Sequence, residues 1–231
     1  MISKRTPASL FLLASAFVLA PGLAFSQTSI ALSGYGAFSG TATGNGTEQS
    51  PANQAGGLVQ LRHTSNPILG LEATYSFNRA DQNYSSSGAY TNVCASGSAC
   101  PGPTPPVHVP ANAHEITADW IPSVHIASVR PFGILGAGVL LNIPSGTAYE
   151  ASTACSASGC VTTSVPVTAT NSLKAVYVYG AGLDWGLLPH LGLRLQYRGN
   201  LYQAPDLTKL YSSTNAFTHT AEPMVGIYFR L

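Results

Sequence analysis

From Leu69 to Asn78 the chain alternates without a break, with Leu69, Leu71, Ala73, Tyr75 and Phe77 on one parity and Gly70, Glu72, Thr74, Ser76 and Asn78 on the other. Successive side chains leave a pleated strand on opposite sides, so this stretch is a strand with one apolar and one polar face. The pattern returns at Leu191, Leu193, Leu195, Tyr197 and Leu201 against Arg194, Gln196, Arg198 and Asn200. It returns again at Val225, Ile227, Phe229 and Leu231 against Met224, Gly226, Tyr228 and Arg230. The same periodicity predicts eight strands, at about 29–39, 56–64, 68–79, 112–121, 131–142, 174–185, 190–202 and 219–231. Connections alternate in length: long at 40–55, 80–111, 143–173 and 203–218, short near 65–67, 122–130 and 186–189. Beyond residue 26, Gly, Pro or a polar residue interrupts every apolar run well short of the ~20 positions a transmembrane helix requires. An all-β, eight-stranded antiparallel up-and-down transmembrane β-barrel has this layout, with long loops outside the cell and short turns and both termini in the periplasm.

A soluble two-sheet sandwich shares the alternation, and charge separates the two folds. Only 8% of the residues are charged, whereas a soluble surface carries ~25–35%. Ten Lys or Arg against nine Asp or Glu exclude a broad nucleic-acid-binding surface, and a hydrophobic content of 45% excludes a disordered chain. With the apolar parity facing lipid, Arg62, Glu72, Glu115, Asp119, Arg130, Asp184, Arg194, Arg198, Glu222 and Arg230 face inward, five of each sign. Eight strands enclose room for side chains only, so these ten are expected to form a lumen charge network that occludes the barrel. Gly34, Gly36, Gly136, Gly138, Gly180 and Gly182 are expected to face inward beside them. Aromatic residues prefer the two bilayer interfaces. Trp120, Trp185 and Phe229 are expected in the periplasmic girdle, and Tyr75, Phe77, Tyr177 and Tyr197 in the outer one.

The N-terminus carries Lys4 and Arg5, an eleven-residue apolar run from Leu10 to Ala20, the break Pro21-Gly22 and the small-residue pattern Ala24-Phe25-Ser26. This predicts a secretory signal peptide over 1–26, cut after Ser26 or else after Ala24, followed by a barrel domain over 27–231.

The strand pattern, the long-short alternation and the closing segment Ala221-Glu222-Pro223-Met224-Val225-Gly226-Ile227-Tyr228-Phe229-Arg230-Leu231 resemble the small OmpA-like outer-membrane β-barrels. That resemblance implies a monomer in the outer membrane of a Gram-negative-type bacterium, with outer-membrane lipids as surroundings. It also implies recognition of the final strand by the barrel-assembly machinery, although Leu231 stands where the family most often has Phe. The peptidoglycan-binding domain of the longer family members is not expected here, and no cofactor or metal is implied.

Cys94 and Cys100 lie in the second long connection, Cys155 and Cys160 in the third. An exported chain meets an oxidising compartment, so two local disulfides are expected. Four cysteines also allow two cross-loop connectivities, while a four-thiolate zinc site is disfavoured because neither spacing is C-x2-C. His63-Thr64-Ser65-Asn66 resembles the His-x-Ser-Asn pattern of outer-membrane lipid A deacylases, with Glu72 as the conceivable orienting acid. Its place in a short turn, at the opposite rim from lipid A, argues against catalysis, and Asn66-Pro67 has an ordinary turn reading. His114, His125, His190 and His219 fall near strand ends and turns, as solvated or interfacial residues. No catalytic residue is assigned. Two functions stand: a non-enzymatic envelope or surface-recognition component mounted on a filled barrel, and a narrow channel or carrier.

Overall fold

The computed structural model describes residues 27–66, 68–86, 106–156 and 159–231. The expected signal peptide, Cys94 and Cys100 lie outside these residues. In chain order the strands are β1 (Gln27–Ser39), β2 (Ala42–Gly44), β3 (Thr47–Pro51), β4 (Gln54–Thr64), β5 (Gly70–Arg79), β6 (Gln82–Ser86) and β7 (Val107–Val109). They continue with β8 (Ala111–Trp120), β9 (Val129–Pro144), β10 (Ala148–Ser156), β11 (Gly159–Val167), β12 (Ser172–Gly186), β13 (Leu191–Gln203) and β14 (Phe217–Arg230).

Eight of them close into a barrel in the order β1-β14-β13-β12-β9-β8-β5-β4, with every neighbouring pair antiparallel. Their bounds agree with the eight strands read from period two. Closure leaves no sheet edge, so all backbone donors and acceptors of the wall can pair within it.

The wall is inverted relative to a soluble barrel. Ile30, Leu32, Val59, Leu61, Ile116, Leu135, Leu195, Val225 and Ile227 are exposed on its outside. Gln60, Arg62, Glu72, Glu115, Asp119, Asp184, Arg194, Arg198 and Glu222 are buried inside it. An apolar belt around a polar core is stable only where hydrocarbon replaces water as the outer solvent.

Two expectations fail here. Gly34 is exposed on the lipid-facing parity of β1, with Gly36 on the same side, while Tyr35 turns inward and is only 5% exposed. A Cβ at inward Gly56 of β4 would meet the Tyr35 ring, so the tyrosine lies in the space that glycine leaves. Strand β1 has small residues on both parities, and hydropathy alone misassigns them. Gly136, Gly138, Gly180 and Gly182 do take the inward parity. The second failure concerns the long connections, which are not irregular loops. Six strands within them form a second sheet in the order β11-β10-β7-β6-β3-β2.

That sheet is the barrel wall continued. β6 pairs with β7 as β5 pairs with β8, and β3 pairs with β6 as β4 pairs with β5. The β2–β3 hairpin turns through Asn45 at φ 50° and Gly46 at φ 74°, the left-handed pair that a two-residue Asn-Gly hairpin requires. The segment from 204 to 216 closes the gap between the sheet's two edges. Thr170 donates to the Leu207 carbonyl and Asn45 Nδ2 to the Ser213 carbonyl. Inside this extension Tyr84, Val107, Val109, Ala111, Ala148 and Leu207 form an apolar core.

Candidate functional site: the barrel lumen

Antiparallel register sets inward residues of neighbouring strands side by side. Arg62 of β4 stands opposite Glu72 of β5, Glu72 opposite Asp119 of β8, Asp184 of β12 opposite Arg194 of β13, and Arg198 opposite Glu222 of β14. Six of these seven side chains, joined by Glu115 of β8, form two clusters.

Nearer the short turns, Arg62 Nε donates to Glu72 Oε2 at 2.7 Å and its Nη1 to Asp184 Oδ2 at 3.1 Å. Arg194 donates from Nε to Asp184 Oδ1 at 2.7 Å, from Nη2 to Asp184 Oδ2 at 2.9 Å and from Nη1 to Glu72 Oε2 at 3.1 Å. Gln60 joins both sides, giving a hydrogen bond to Glu72 Oε1 and accepting one from Arg194. The Arg62 guanidinium lies 4.0 Å from the centroid of the Phe132 ring, whose electron-rich face suits a cation with few water contacts. Phe132 itself occupies the space over Gly182, where a Cβ would strike the ring.

Farther out, Arg198 donates to Glu115 Oε1 at 3.0 Å, Asp119 Oδ2 at 3.1 Å, Thr117 Oγ1 at 2.8 Å and Thr74 Oγ1 at 3.3 Å. Asn200 donates to the second oxygen of Glu115. A Cβ at Gly136 would run into the Asp119 side chain, so that glycine leaves the carboxylate its room.

Three of the ten inward charges stand outside these pairs. Among the described residues Glu222 makes no ion pair, and its Oε2 has no partner within the protein. Arg130 donates from Nε and Nη2 to Ser123 Oγ at 2.9 and 2.7 Å. Arg230 donates to the Tyr228 hydroxyl at 2.9 Å. Both arginines sit at the short-turn mouth, where strand ends reach water and a guanidinium needs no buried counter-charge. The expectation of one network of ten is corrected accordingly.

Sign is also unevenly distributed along the axis. The short-turn end holds Arg62, Arg130, Arg194 and Arg230 against Glu72 and Asp184, whereas the outer half holds Arg198 against Glu115, Asp119 and Glu222. Equal totals conceal that separation.

The lumen is filled. Arg62, Arg194 and Arg198 are at most 1% exposed. A residual cavity of about 30 Å3 touches Glu115, Asn142, Asn200, Tyr202 and Glu222, enough for roughly two water molecules. Parity had set Tyr228 on the inward side with Arg230, but sequence reasoning missed the inward aromatics Tyr35, Phe132 and Tyr202. Their signal was available at Phe132 and Tyr202, each of which shares parity with an inward charged residue on its own strand.

The outward aromatics Tyr75, Phe77, Trp120, Tyr177, Trp185, Tyr197 and Phe229 are all at least 40% exposed. Trp120 Nε1 donates to the Ile68 carbonyl at 2.7 Å near the short-turn rim. Toward the other rim, the Tyr75 hydroxyl bonds His114 Nδ1 and the Tyr179 hydroxyl bonds His219 Nε2, each at 2.9 Å. Two of the scattered histidines therefore belong to the outer girdle.

His63, Ser65 and Glu72 are not brought together as a catalytic unit. His63 points out of the wall, where its Nδ1 meets Thr28 Oγ1 at 3.1 Å. Glu72 is buried on the opposite, luminal face and bound by Arg62 and Arg194. A wall one strand thick separates the base from its supposed acid. Backbone register places Cys155 opposite Cys160 at the tip of the β10–β11 hairpin.

The chain is an eight-stranded transmembrane β-barrel. No family model matches the chain, and no curated protein is significantly similar to it. Several solved structures are similar at low identity. Ail, the attachment invasion locus protein of Yersinia pestis, crystallised with the heparin analogue sucrose octasulfate, is 16% identical, with 89% of this chain and 99% of that one covered and a TM-score of 0.43. Neisserial surface protein A is 15% identical over 88% of this chain and 97% of its own, with a TM-score of 0.44. OprG from Pseudomonas aeruginosa is 10% identical over 89% and 96%, with a TM-score of 0.46.

Proposed function

We propose that this protein is a non-enzymatic component of a Gram-negative outer membrane, a closed barrel that mounts a rigid surface extension for recognition or envelope integrity. One observation carries the reading. Arg194 ties Glu72 of β5, Asp184 of β12 and Gln60 of β4 together across the lumen, with Arg62, Arg194 and Arg198 at most 1% exposed, while the same wall continues beyond the membrane as a sheet with its own apolar core. A barrel built for transport would keep its axis open, and this one is sealed by groups expensive to separate.

On this reading, residues 1–26 act as a signal peptide, β14 and Leu231 address the chain to the barrel-assembly machinery, and the mature protein is a monomer in outer-membrane lipid. An oxidising exterior would join Cys155 to Cys160 across their hairpin and Cys94 to Cys100, which peptide mass mapping without reduction would detect.

Planar-bilayer recording of the refolded protein tests the central point. The expected result is no steady unitary current in wild type. Large, stable conductance that persists in Arg194→Met would make a narrow channel or carrier the better function.

A further inference from the structure

The short-turn mouth of the barrel contains a second cavity, about 190 Å3 in volume, lined by Gln27, Ser65, Asn66, Ser123, His125 and Arg130 together with Thr64. Every one of these side chains can donate a hydrogen bond, and none is a carboxylate. We propose that this mouth is a binding site for an oxyanion, the phosphate or carboxylate group of a small water-soluble solute, with Arg130 as its anchoring charge.

The architecture keeps Arg130 from an internal partner. Asp184 is its neighbour in register, but both Asp184 oxygens are already held by Arg62 and Arg194 at 2.7 to 3.1 Å. Arg130 instead uses its Nε and one Nη on the Ser123 hydroxyl, which leaves Nη1 and the second hydrogen of Nη2 unassigned. Arg230 adds a second cation at the same end. Neither arginine forms an ion pair within 4 Å among the described residues, and a bound anion would supply one.

Local structure prepares the other donors. Asn66 Oδ1 accepts the backbone N–H groups of Ile68 and Leu69 at 2.9 and 2.8 Å, which fixes the side chain and spends its acceptor, so its amide hydrogens remain to donate. Ser123 is held by a bridge to Phe132 in the β8–β9 turn, two residues beyond Arg130. A guanidinium with fixed amide and hydroxyl donors is the usual chemistry of phosphate and carboxylate recognition. The ligand is a solute rather than a lipid because Thr64, Ser123 and Arg130 share the luminal side of the wall, while His63 and Leu61 face the bilayer.

The test uses the full protein refolded in phosphatidylcholine nanodiscs and titrated with inorganic phosphate against a sodium chloride control of equal ionic strength, following arginine Nε–Hε signals by NMR. A parallel titration with acetate probes the carboxylate arm. Arg130 is expected to show a saturable shift with phosphate or acetate that chloride does not reproduce. Arg130→Gln should weaken the affinity, read from neighbouring backbone amides, by at least about tenfold, equivalent to about 1.4 kcal/mol. Arg230→Gln should weaken it less. If Arg130→Gln fails to refold, Arg130→Lys, which keeps the charge but loses the fork, should still bind more weakly than wild type. Shifts that follow ionic strength alone, or unchanged affinity in Arg130→Gln, would overturn the site. Perturbation of Arg130 by phosphatidylglycerol nanodiscs without added anion would assign it to lipid headgroups and overturn the solute reading.

Discussion

The membrane barrel and the extension above it are made of the same continuous wall, yet among the described residues the buried charges all lie in the barrel. Within the membrane the wall encloses Arg62, Glu72, Asp184, Arg194 and Arg198 and presents leucine, isoleucine and valine outward. Above it the wall encloses Tyr84, Val107, Val109 and Leu207 and carries Glu48, Asn45 and His108 on its exposed positions. One sheet can do both because each side chain's direction is set by the pleat, while the solvent on the outer face decides which chemistry must be hidden. In hydrocarbon the polar parity goes inward and satisfies itself by ion pairing. In water the apolar cluster around Leu207 goes inward and is held by burial, and the polar Gln49 and Gln82 that share this interior hydrogen-bond to each other.

This contrast predicts that the two regions fail by different routes, the largest effect lying in the barrel. Arg194→Met removes a cation that serves both Asp184 and Glu72, leaving carboxylates partly uncompensated in a buried site, at a cost of about 3–5 kcal/mol. Denaturant unfolding in detergent should show that loss. An unchanged midpoint would mean that the ion pairs are incidental to the barrel's stability. In the extension, Leu207→Ala deletes the centre of a dry cluster and should cost about 2–5 kcal/mol locally. Hydrogen exchange should then rise in β6, β7 and residues 204–216 while β13 and β14 stay protected, and uniform loss of protection would show that the two regions unfold as one. The smallest effect is expected for Tyr84→Phe. The hydroxyl of Tyr84 donates to the Pro205 carbonyl at 2.7 Å and accepts from Leu207 N–H at 3.0 Å, and burial pushes its ionisation upward. Removing it leaves those backbone groups unpaired for about 1–3 kcal/mol, and the same exchange experiment should place the change beside Leu207.

The faces of the barrel strands were legible because lipid imposes a rule on every position. Val225, Ile227 and Phe229 could not alternate with Met224, Gly226 and Tyr228 by accident of packing alone. Strand β1 shows where the rule weakens: Gly34, Gly36, Ala31 and Ser33 carry little hydropathy contrast, and a mixed interior accepts Tyr35. The extension was legible only in part. Gly44-Asn45-Gly46-Thr47 contains a hairpin signal that was available from the residues and was passed over. Strand β7 has only three residues, below the length at which alternation carries information, while the nine-residue β10 and β11 are dominated by Ala, Ser, Thr and Val and carry little contrast between parities.

The candidate site divides in the same way. Which charges turn inward followed from parity, but Arg62 with Asp184, 122 positions apart, and Arg198 with Glu115, 83 positions apart, meet only because the sheet closes. Glu222 and Arg130 each stand beside a counter-charge in register, Arg198 and Asp184, but those groups are taken by partners from across the lumen, a competition that only the closed barrel creates.

By itself the sequence determined the number of barrel strands, their alternating faces and the scarcity of charge toward lipid, all of which depend on local periodicity and on the solvent each face meets. Only the tertiary structure decided the barrel's closure order, the continuation of its wall outside the membrane, and the division of ten charges into an arginine-rich mouth and an acid-rich outer half. Those features depend on contacts between residues far apart in the chain, and a period of two specifies a direction for each side chain without naming its partner.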